Sequence, residues 1–432
     1  MVHESLSVKP RMIQIWTINR MIVQRDSEAF ITLGGGILGQ AASSLLHFSS
    51  ELRLYSGPGS LGSLARELDR TSCRRAALIC SSSLARSPAI IDLIRTALGA
   101  RLCGEFSGVR THSPTSSVDE AARFLRESKA DAVVAVGGGS VIVTARAASI
   151  VLAECRSVPE MCTYRAADGR FISPKLPEPK LPQFVLPTTP TSACVKAGSA
   201  VLDEETGRRM ALFDPKTRAR AIFLHPTLLQ TPSVELALSS ALNTLAMSVE
   251  GLESATSDPI SDALLTHSLR ILTEQLPRLQ EKAMAPADRE KLMFAAVLCG
   301  RGTDVAGGGL ASVIGHTLGQ RTQVANGYIN AIVLPWTMQY NAPATSEGRL
   351  PLIADALRVA PSLGHETPPS AIGRVQALLD GLLIPRRLKD IGLSREELPQ
   401  IAAAAMDDWF VERNPQPVRS ACDVLTVLEA AW

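Results

Sequence analysis

The 432-residue chain lacks the local patterns that usually mark a metal or redox site. Its eight cysteines, at 73, 80, 103, 155, 162, 194, 299 and 422, form no CxxC pair and no cysteine–histidine alternation at zinc spacing. Seven histidines, at 3, 47, 112, 225, 267, 316 and 365, include no HExxH and no HxxxH pair. Local spacing therefore gives a metal no support, and the cysteines read as reduced and structural. An excess of one charge is missing too: 44 basic and 42 acidic residues leave a formal +2. That removes the electrostatic footprint of a nucleic-acid or anionic-membrane binder. No good membrane span is present either. Residues 29–50 are uncharged, but glycines, serines, Thr32, Gln40 and His47 interrupt them, and a span needs about 20 mostly apolar residues. The mixed-charge stretch ahead of them, with Glu4, Asp26 and Glu28, is a poor export leader. The expectation is a cytoplasmic protein whose partner is a small molecule, with no nucleic acid and no membrane.

What remains is globular: 46% of residues are apolar and 20% charged, and the length allows two to three domains. A GxGxxG spacing at Gly34, Gly36 and Gly39 formally matches a dinucleotide fingerprint, but the next strand-like run, LRLYSG at 52–57, ends without an acidic residue to grip a ribose. Residues 1–44 read as an extension. From residue 53 short apolar runs alternate with amphipathic helices, through RAALICSSS, SPAIIDLIRTALGA, VDEAARFLRESKA and DAVVAVGGGS. That alternation predicts a parallel sheet covered by helices. Residues 156–193 are proline-rich and loop-like, closing on the strand-and-turn FVLPTTP at 184–190. After about residue 232 strand signals nearly vanish and long apolar-periodic segments read as packed helices. The predicted organisation is an α/β dinucleotide-binding domain over 45–231 and an all-helical domain over 232–432, without internal repeats.

The most informative local pattern is DAVVAVGGGS followed by a helix. It puts Gly137, Gly138, Gly139 and Ser140 between a buried strand and a helix start. Glycines let backbone approach a phosphate closely, and free amides of the helix terminus attract its charge.

With YSGPGSL near the start, FSGVRTHSP at 106–114, AVGGGS at 135–140, LPTT at 186–189, LNTLAMSVEGL at 242–252, GHTLGQ at 315–320, NAIVLPWTMQYNAPA at 330–344 and NPQPV at 414–418, the chain resembles the iron-containing alcohol dehydrogenases, and within them the maleylacetate reductases. The resemblance spans roughly residues 45–432 and implies a dehydroquinate synthase-like fold, a cleft between the two domains, and a homodimer. It implies NAD or NADP as cofactor, with the pyrophosphate on the GGGS loop and Thr188 and Thr189 beside adenine and ribose. Many relatives end the second strand with an aspartate that repels a 2'-phosphate; here Ser82 stands there, which allows either cofactor and favours NADPH.

The departures matter more. Metal-dependent relatives bind iron or zinc through one aspartate and three histidines, and the motifs put Asn243, Met247, Ser312 and Asn326 at those positions. Neutral amides, a thioether and a hydroxyl are a poor cage for a borderline divalent ion, so no catalytic metal is expected. Maleylacetate reductases share the asparagine at 243 but keep histidines at the other three positions. Ser192, Ala193 and Cys194 replace a glycine-serine-glutamate stretch, and Val143 and Arg146 replace an aspartate and a lysine. His316 survives at the position of a histidine lining the nicotinamide pocket. Its imidazole suits proton transfer near neutrality. Cys194 with Lys196 nearby offers a thiolate or, more simply, a buried cysteine, and Arg321 offers a fork for a substrate carboxylate or a solvent-facing charge. The expected activity is metal-independent NAD(P)H-dependent reduction of a small carbonyl or oxo acid, with His316 as proton source and Asn243, Ser312 and Asn326 as hydrogen-bond donors to the substrate oxygen. Two rivals remain: a non-redox lyase, dehydratase or cyclase on the same scaffold, and a catalytically silent binding protein.

Overall fold

A computed structural model describes residues 47–280, 284–322, 324–358 and 370–432. The extension 1–44 and its Gly34–Gly39 spacing lie outside the described residues. His47–Trp432 forms one compact unit.

The first half runs β1 (Arg53–Ser56), α1 (Leu64–Arg70), β2 (Ala76–Ser81), α2 (Pro88–Leu98), β3 (Leu102–Val109), α3 (Thr115–Glu127), β4 (Ala132–Gly137), α4 (Gly139–Glu154), β5 (Gln183–Pro187), the hairpin β6 (Gly198–Leu202) and β7 (Arg209–Phe213), and β8 (Ala219–Leu224). Six strands form one parallel sheet in the order β1-β8-β5-β4-β2-β3. Its period-2 alternation is visible in β2. Ala76, Leu78 and Cys80 pack with Leu64, Leu68, Ile91 and Ile94 of α1 and α2, whereas Ala77 and Ile79 pack with Ala121, Leu125, Val141 and Ala145 of α3 and α4. Both faces are covered, so the central strands are apolar throughout, as a buried parallel sheet requires.

The chain lays β3 on one side of β2 and then returns to lay β4 on the other. That reversal opens a crevice beyond the carboxyl ends of β2 and β4, where parallel α/β sheets take their ligands. The loops after β2, β4 and β5 carry Ser82, Gly138–Ser140 and Thr188–Thr189 respectively, so the expected cofactor residues share one end of the sheet.

The helical half is α5 (Val234–Glu253), α6 (Pro259–Leu279), α7 (Pro286–Ala306), α8 (Leu310–Arg321), α9 (Asn326–Asn341), α10 (Arg349–Ala356), α11 (Ala371–Asp380), α12 (Leu398–Ala405) and α13 (Ala421–Ala431). Its starts are capped: Ser233 Oγ accepts from Leu236 N at 3.3 Å, and Asp258 Oδ1 from Ser261 N at 2.7 Å. α5 is buried on nearly every side and forms the hub, its Leu238, Leu242, Leu245 and Val249 sharing one core with α6 through α13. α8 and α9 approach closely because Gly319 faces Asn326: a Cβ at Gly319 would sit 2.0 Å from Asn326 Oδ1. Among the described residues no helix is long and apolar enough to cross a membrane.

Candidate active site

The phosphate loop begins where β4 ends. Gly137 has φ +153, and a Cβ there would lie 2.6 Å from Val141 Cγ2, so only glycine fits the turn into α4. Gly138 is the N-cap and Gly139 opens the 16-residue helix. The first amides of such a helix have no acceptor four residues back and are available to an anion. Thr188 N donates to the Gly137 carbonyl at 3.0 Å, which ties the loop after β5 to this one, and a Cβ on Gly138 would lie 3.1 Å from Thr189 Oγ1. Ser82, exposed, starts the one-turn helix after β2. Ser140 Oγ accepts from His112 N at 3.2 Å and the Ser140 carbonyl accepts from Ser113 Oγ at 3.0 Å. His112 and Ser113 are both left-handed, with φ 65 and 52, a costly pair for residues with side chains that these bonds hold in place.

The four positions where relatives hold a metal come together differently from the sequence expectation. The Asn243 amide lies 3.5 Å from Met247 Sδ and 3.0 Å from the Asn330 amide, whose nitrogen, in the orientation that satisfies it, donates to the carbonyls of Ala311 and Asn326 at 3.0 and 3.1 Å. Ser192 Oγ also reaches Met247 Sδ, at 3.6 Å. Ser312 is buried, and its N–H and its hydroxyl both donate to the buried Glu250 carboxylate, at 2.8 and 2.5 Å. The hydroxyl proton is spent there, so Ser312 is not arranged as a donor to substrate. Asn326, the first residue of α9, holds its Oδ1 buried against Gly319 without a hydrogen-bond partner. Two amides, a thioether and an occupied hydroxyl offer neither an anionic nor an imidazole ligand, and these side chains do not fit a catalytic iron or zinc ion. Among the described residues no other group of three His, Cys, Asp or Glu side chains is placed to hold one.

His316 lies one turn beyond Ser312 on α8. Its Nδ1 bonds Asp408 Oδ2 at 2.8 Å, and Asp408 Oδ1 accepts from Phe410 N at 2.9 Å. Asp408 is buried and therefore acts as a fixed orienter. The imidazole packs against Trp409 and Phe410, with ring centroids 5.6 and 5.9 Å away, and stays 19% exposed, which leaves Nε2 as the nitrogen free to meet a substrate. The pairing defines the tautomer: Nδ1 carries the proton given to Asp408.

Three groups that the sequence did not flag join this cluster. Arg209, at the start of β7, bonds His112 Nδ1 through Nη2 at 2.8 Å. In the amide orientation that satisfies both ends of Gln320, its Oε1 accepts from Arg209 Nε at 2.9 Å and its nitrogen donates to the Gly207 carbonyl. Burial lowers Arg209 to about 10, opposed by the negative charge of Asp408, so the guanidinium is charged at neutrality. Burial and then the Arg209 charge push His112 down to about 4, so this imidazole is neutral and accepts through Nδ1. A chain of contacts thus runs from Ser140 through His112 and Arg209 to the neighbourhood of Asp408 and His316.

The remaining candidates fall outside it. Cys194 is wholly buried, and burial raises its thiol to about 12, with the Arg146 charge only partly opposing the shift. The thiolate alternative is therefore not supported. Lys196 instead bonds Thr303 Oγ1 at 2.7 Å and pairs with Asp304 at 3.5 Å. Arg146 is buried and donates to the carbonyls of Gly198 and Ala193, bracing the loop after β5. Arg321 and His267 are exposed, and His225 is a buried helix N-cap residue.

The chain belongs to the iron-containing alcohol dehydrogenase family. Residues 52–226 match the family's iron-containing alcohol dehydrogenase model, and residues 237–432 match its C-terminal model. It is an oxidoreductase by that membership. Among curated relatives it is 28% identical to maleylacetate reductase 1 of Cupriavidus pinatubonensis, over 85% of this chain and 92% of that one. It is 26% identical to the lactaldehyde reductase of Escherichia coli K12, over 87% of this chain and 97% of that one. Among solved structures, sulfoacetaldehyde reductase from Bifidobacterium kashiwanohense in complex with NAD+ shares the fold, with a TM-score of 0.77 at 17% identity over 90% of this chain and 99% of that one.

Proposed function

We propose that this chain reduces the carbonyl of a small oxo acid at the expense of NAD(P)H without a catalytic metal. Gly138, Gly139 and Ser140 at the start of α4 would hold the pyrophosphate, with Thr188 and Thr189 beside the adenosine half. Ser82 supplies no negative charge at the ribose end, which favours NADPH. When bound, the nicotinamide supplies hydride to the carbonyl carbon.

The protein's part is to orient the carbonyl and manage one proton. The imidazolium form of His316 donates from Nε2 to the oxygen as it becomes an alkoxide, and the Asp408 carboxylate at Nδ1 stabilises the charged ring before transfer and fixes its plane throughout. The Asn243 amide, beside the Met247 thioether, would add a hydrogen bond to the same oxygen. The single observation that carries this reading is the His316–Asp408 pair, 2.8 Å apart, in a unit whose sheet end presents the Gly137–Ser140 loop. The relatives' reductase activities support the reaction type. We read the protein as cytoplasmic and homodimeric on the same resemblance.

The test is NADPH and NADH oxidation by the purified full chain with a panel of oxo acids and aldehydes, alongside elemental analysis and chelator treatment. Turnover that survives chelation supports the reading. Substrate conversion with no cofactor consumed would point instead to a non-redox enzyme, and nicotinamide binding with no turnover to a silent protein.

A further inference from the structure

Arg209 is the one strongly charged group in the cluster whose hydrogen-bonding capacity is left largely open. A guanidinium has five N–H donors in a fixed fork. Nε is used by Gln320 and one Nη2 hydrogen by His112, both neutral partners, and among the described residues no carboxylate lies within 4.0 Å of it. Asp408 contributes only through space, since its two oxygens are taken by His316 and Phe410. The two neutral partners hold the guanidinium still without neutralising it. His112, accepting through Nδ1, carries its own proton on Nε2 and adds one more donor to the same surface.

The position of the fork relative to the proton donor follows from α8. Gln320 is four residues after His316, so the two side chains stand on one face, about 5–6 Å apart at Cβ. Arg209 bonds the second of these and feels the carboxylate that bonds the first. Its open donors therefore lie near His316, on the side of His112, whose N–H bonds Ser140 at the start of α4. We propose that Arg209, with His112 beside it, anchors a carboxylate of the substrate, so that the enzyme takes oxo acids in preference to plain aldehydes. This rests on the reductase reading above and specifies its substrate class. A bidentate guanidinium–carboxylate bond fixes both the position and the plane of the acid, which would aim the carbonyl oxygen at His316 Nε2.

The experiment compares the wild type, R209Q, R209K and the control R208Q, an exposed neighbour paired with Asp407 at 3.6 Å. Rates are measured for glyoxylate, pyruvate and 4-oxobutanoate against acetaldehyde, propanal and butanal. NADPH affinity is read by nicotinamide fluorescence, and oxalate and succinate binding to the NADP+ complex by calorimetry. For R209Q, kcat/KM for the acids should fall about 10–100-fold, mainly through KM, the range expected for charge-assisted bonds. Aldehyde rates and NADPH affinity should stay within about threefold, and dicarboxylate binding should be lost. R209K, which keeps the charge and loses the fork, should fall between, and R208Q should match the wild type. Unchanged acid kinetics in R209Q would overturn the anchor and leave the reductase standing. Parallel loss of acids, aldehydes and NADPH affinity would overturn it in favour of a cofactor-phosphate contact. If the wild type turns over nothing, Arg209-dependent dicarboxylate binding would uphold the anchor while the reductase reading fails, and binding that ignores Arg209 would sink both.

Discussion

Glu253 offers a test of the interior that supports the site. The last residue of α5, it is 1% exposed; one carboxyl oxygen accepts from Asn341 Nδ2 at 3.0 Å, and the other has no partner. Asn341 Oδ1 accepts from Asn414 Nδ2 at 2.7 Å, and Asn414 Oδ1 accepts from Leu310 N at 3.0 Å, the first amide of the helix that carries His316. Burial, with a further push from the Glu250 charge, raises Glu253 from 4.5 to about 8, against the single Asn341 bond that lowers it. The folded protein therefore keeps a proton that the unfolded chain releases above 4.5. Stability from this group is full below about pH 4.5 and declines as pH rises to about 8, by about 1.4 kcal/mol per unit and about 5 kcal/mol in all. E253Q keeps the shape and cannot ionise. Urea unfolding of both proteins at fixed ionic strength should show the variant gaining on the wild type by about 3 kcal/mol between pH 5.5 and 8, with the curves parallel below about pH 4.5. Parallel curves through the whole range would mean that Glu253 is ionised or hydrated in solution, and the network leading to Leu310 would not be as closed as described.

Three further outcomes bear on function. H316A should lower kcat by about 10²–10⁴-fold with NADPH affinity unchanged, and D408N should lower kcat less while leaving KM for substrate near wild type; stopped-flow measurement of the reduction step checks both. G137A places a Cβ 2.6 Å from Val141 Cγ2 at a φ of +153, so thermal unfolding should report about 1–3 kcal/mol of lost stability and fluorescence titration weaker cofactor binding. S82D should shift the NADPH-to-NADH ratio of kcat/KM toward NADH by about 10–100-fold through repulsion of the 2'-phosphate; an unchanged ratio would place that phosphate elsewhere.

The parallel sheet was legible because its central strands are short apolar runs between amphipathic helices: β2 and β4 fall within RAALICSSS and DAVVAVGGGS, and β5 begins one residue before FVLPTTP. The hairpin β6–β7 was not, since its strands are half exposed and mix small, basic and apolar residues without clean alternation. That omission hid Arg209. Asp408 was equally invisible: it lies in DDWFVERN, which has no helical or strand period, and meets His316 only through a contact 92 residues away in sequence. Ser312 shows the reverse error. Its residue type suggested a donor to substrate, but Glu250, one turn before the end of α5, takes both of its donors. Spacing along one helix could not reveal a partner on another.

The distribution of charge across the cleft ties these observations to the choice of substrate. Where relatives place charged and imidazole ligands, this chain has neutral side chains, and the two acids behind them, Glu250 and Glu253, are both driven by burial toward their protonated forms. The four positions themselves bring no charge to that side of the cleft. In the proposed reaction, polarisation of a carbonyl there would fall to hydrogen bonds from His316 and Asn243, which provide less than a divalent Lewis acid at the same oxygen. A carbonyl carrying its own electron-withdrawing carboxylate needs less assistance than a simple aldehyde. The fixed charges that remain, Arg209 and Asp408, sit together on the His316 side, where the first can hold such an acid and the second can hold the proton donor. Loss of the metal-type ligands and the open guanidinium thus point to the same class of substrate by independent routes.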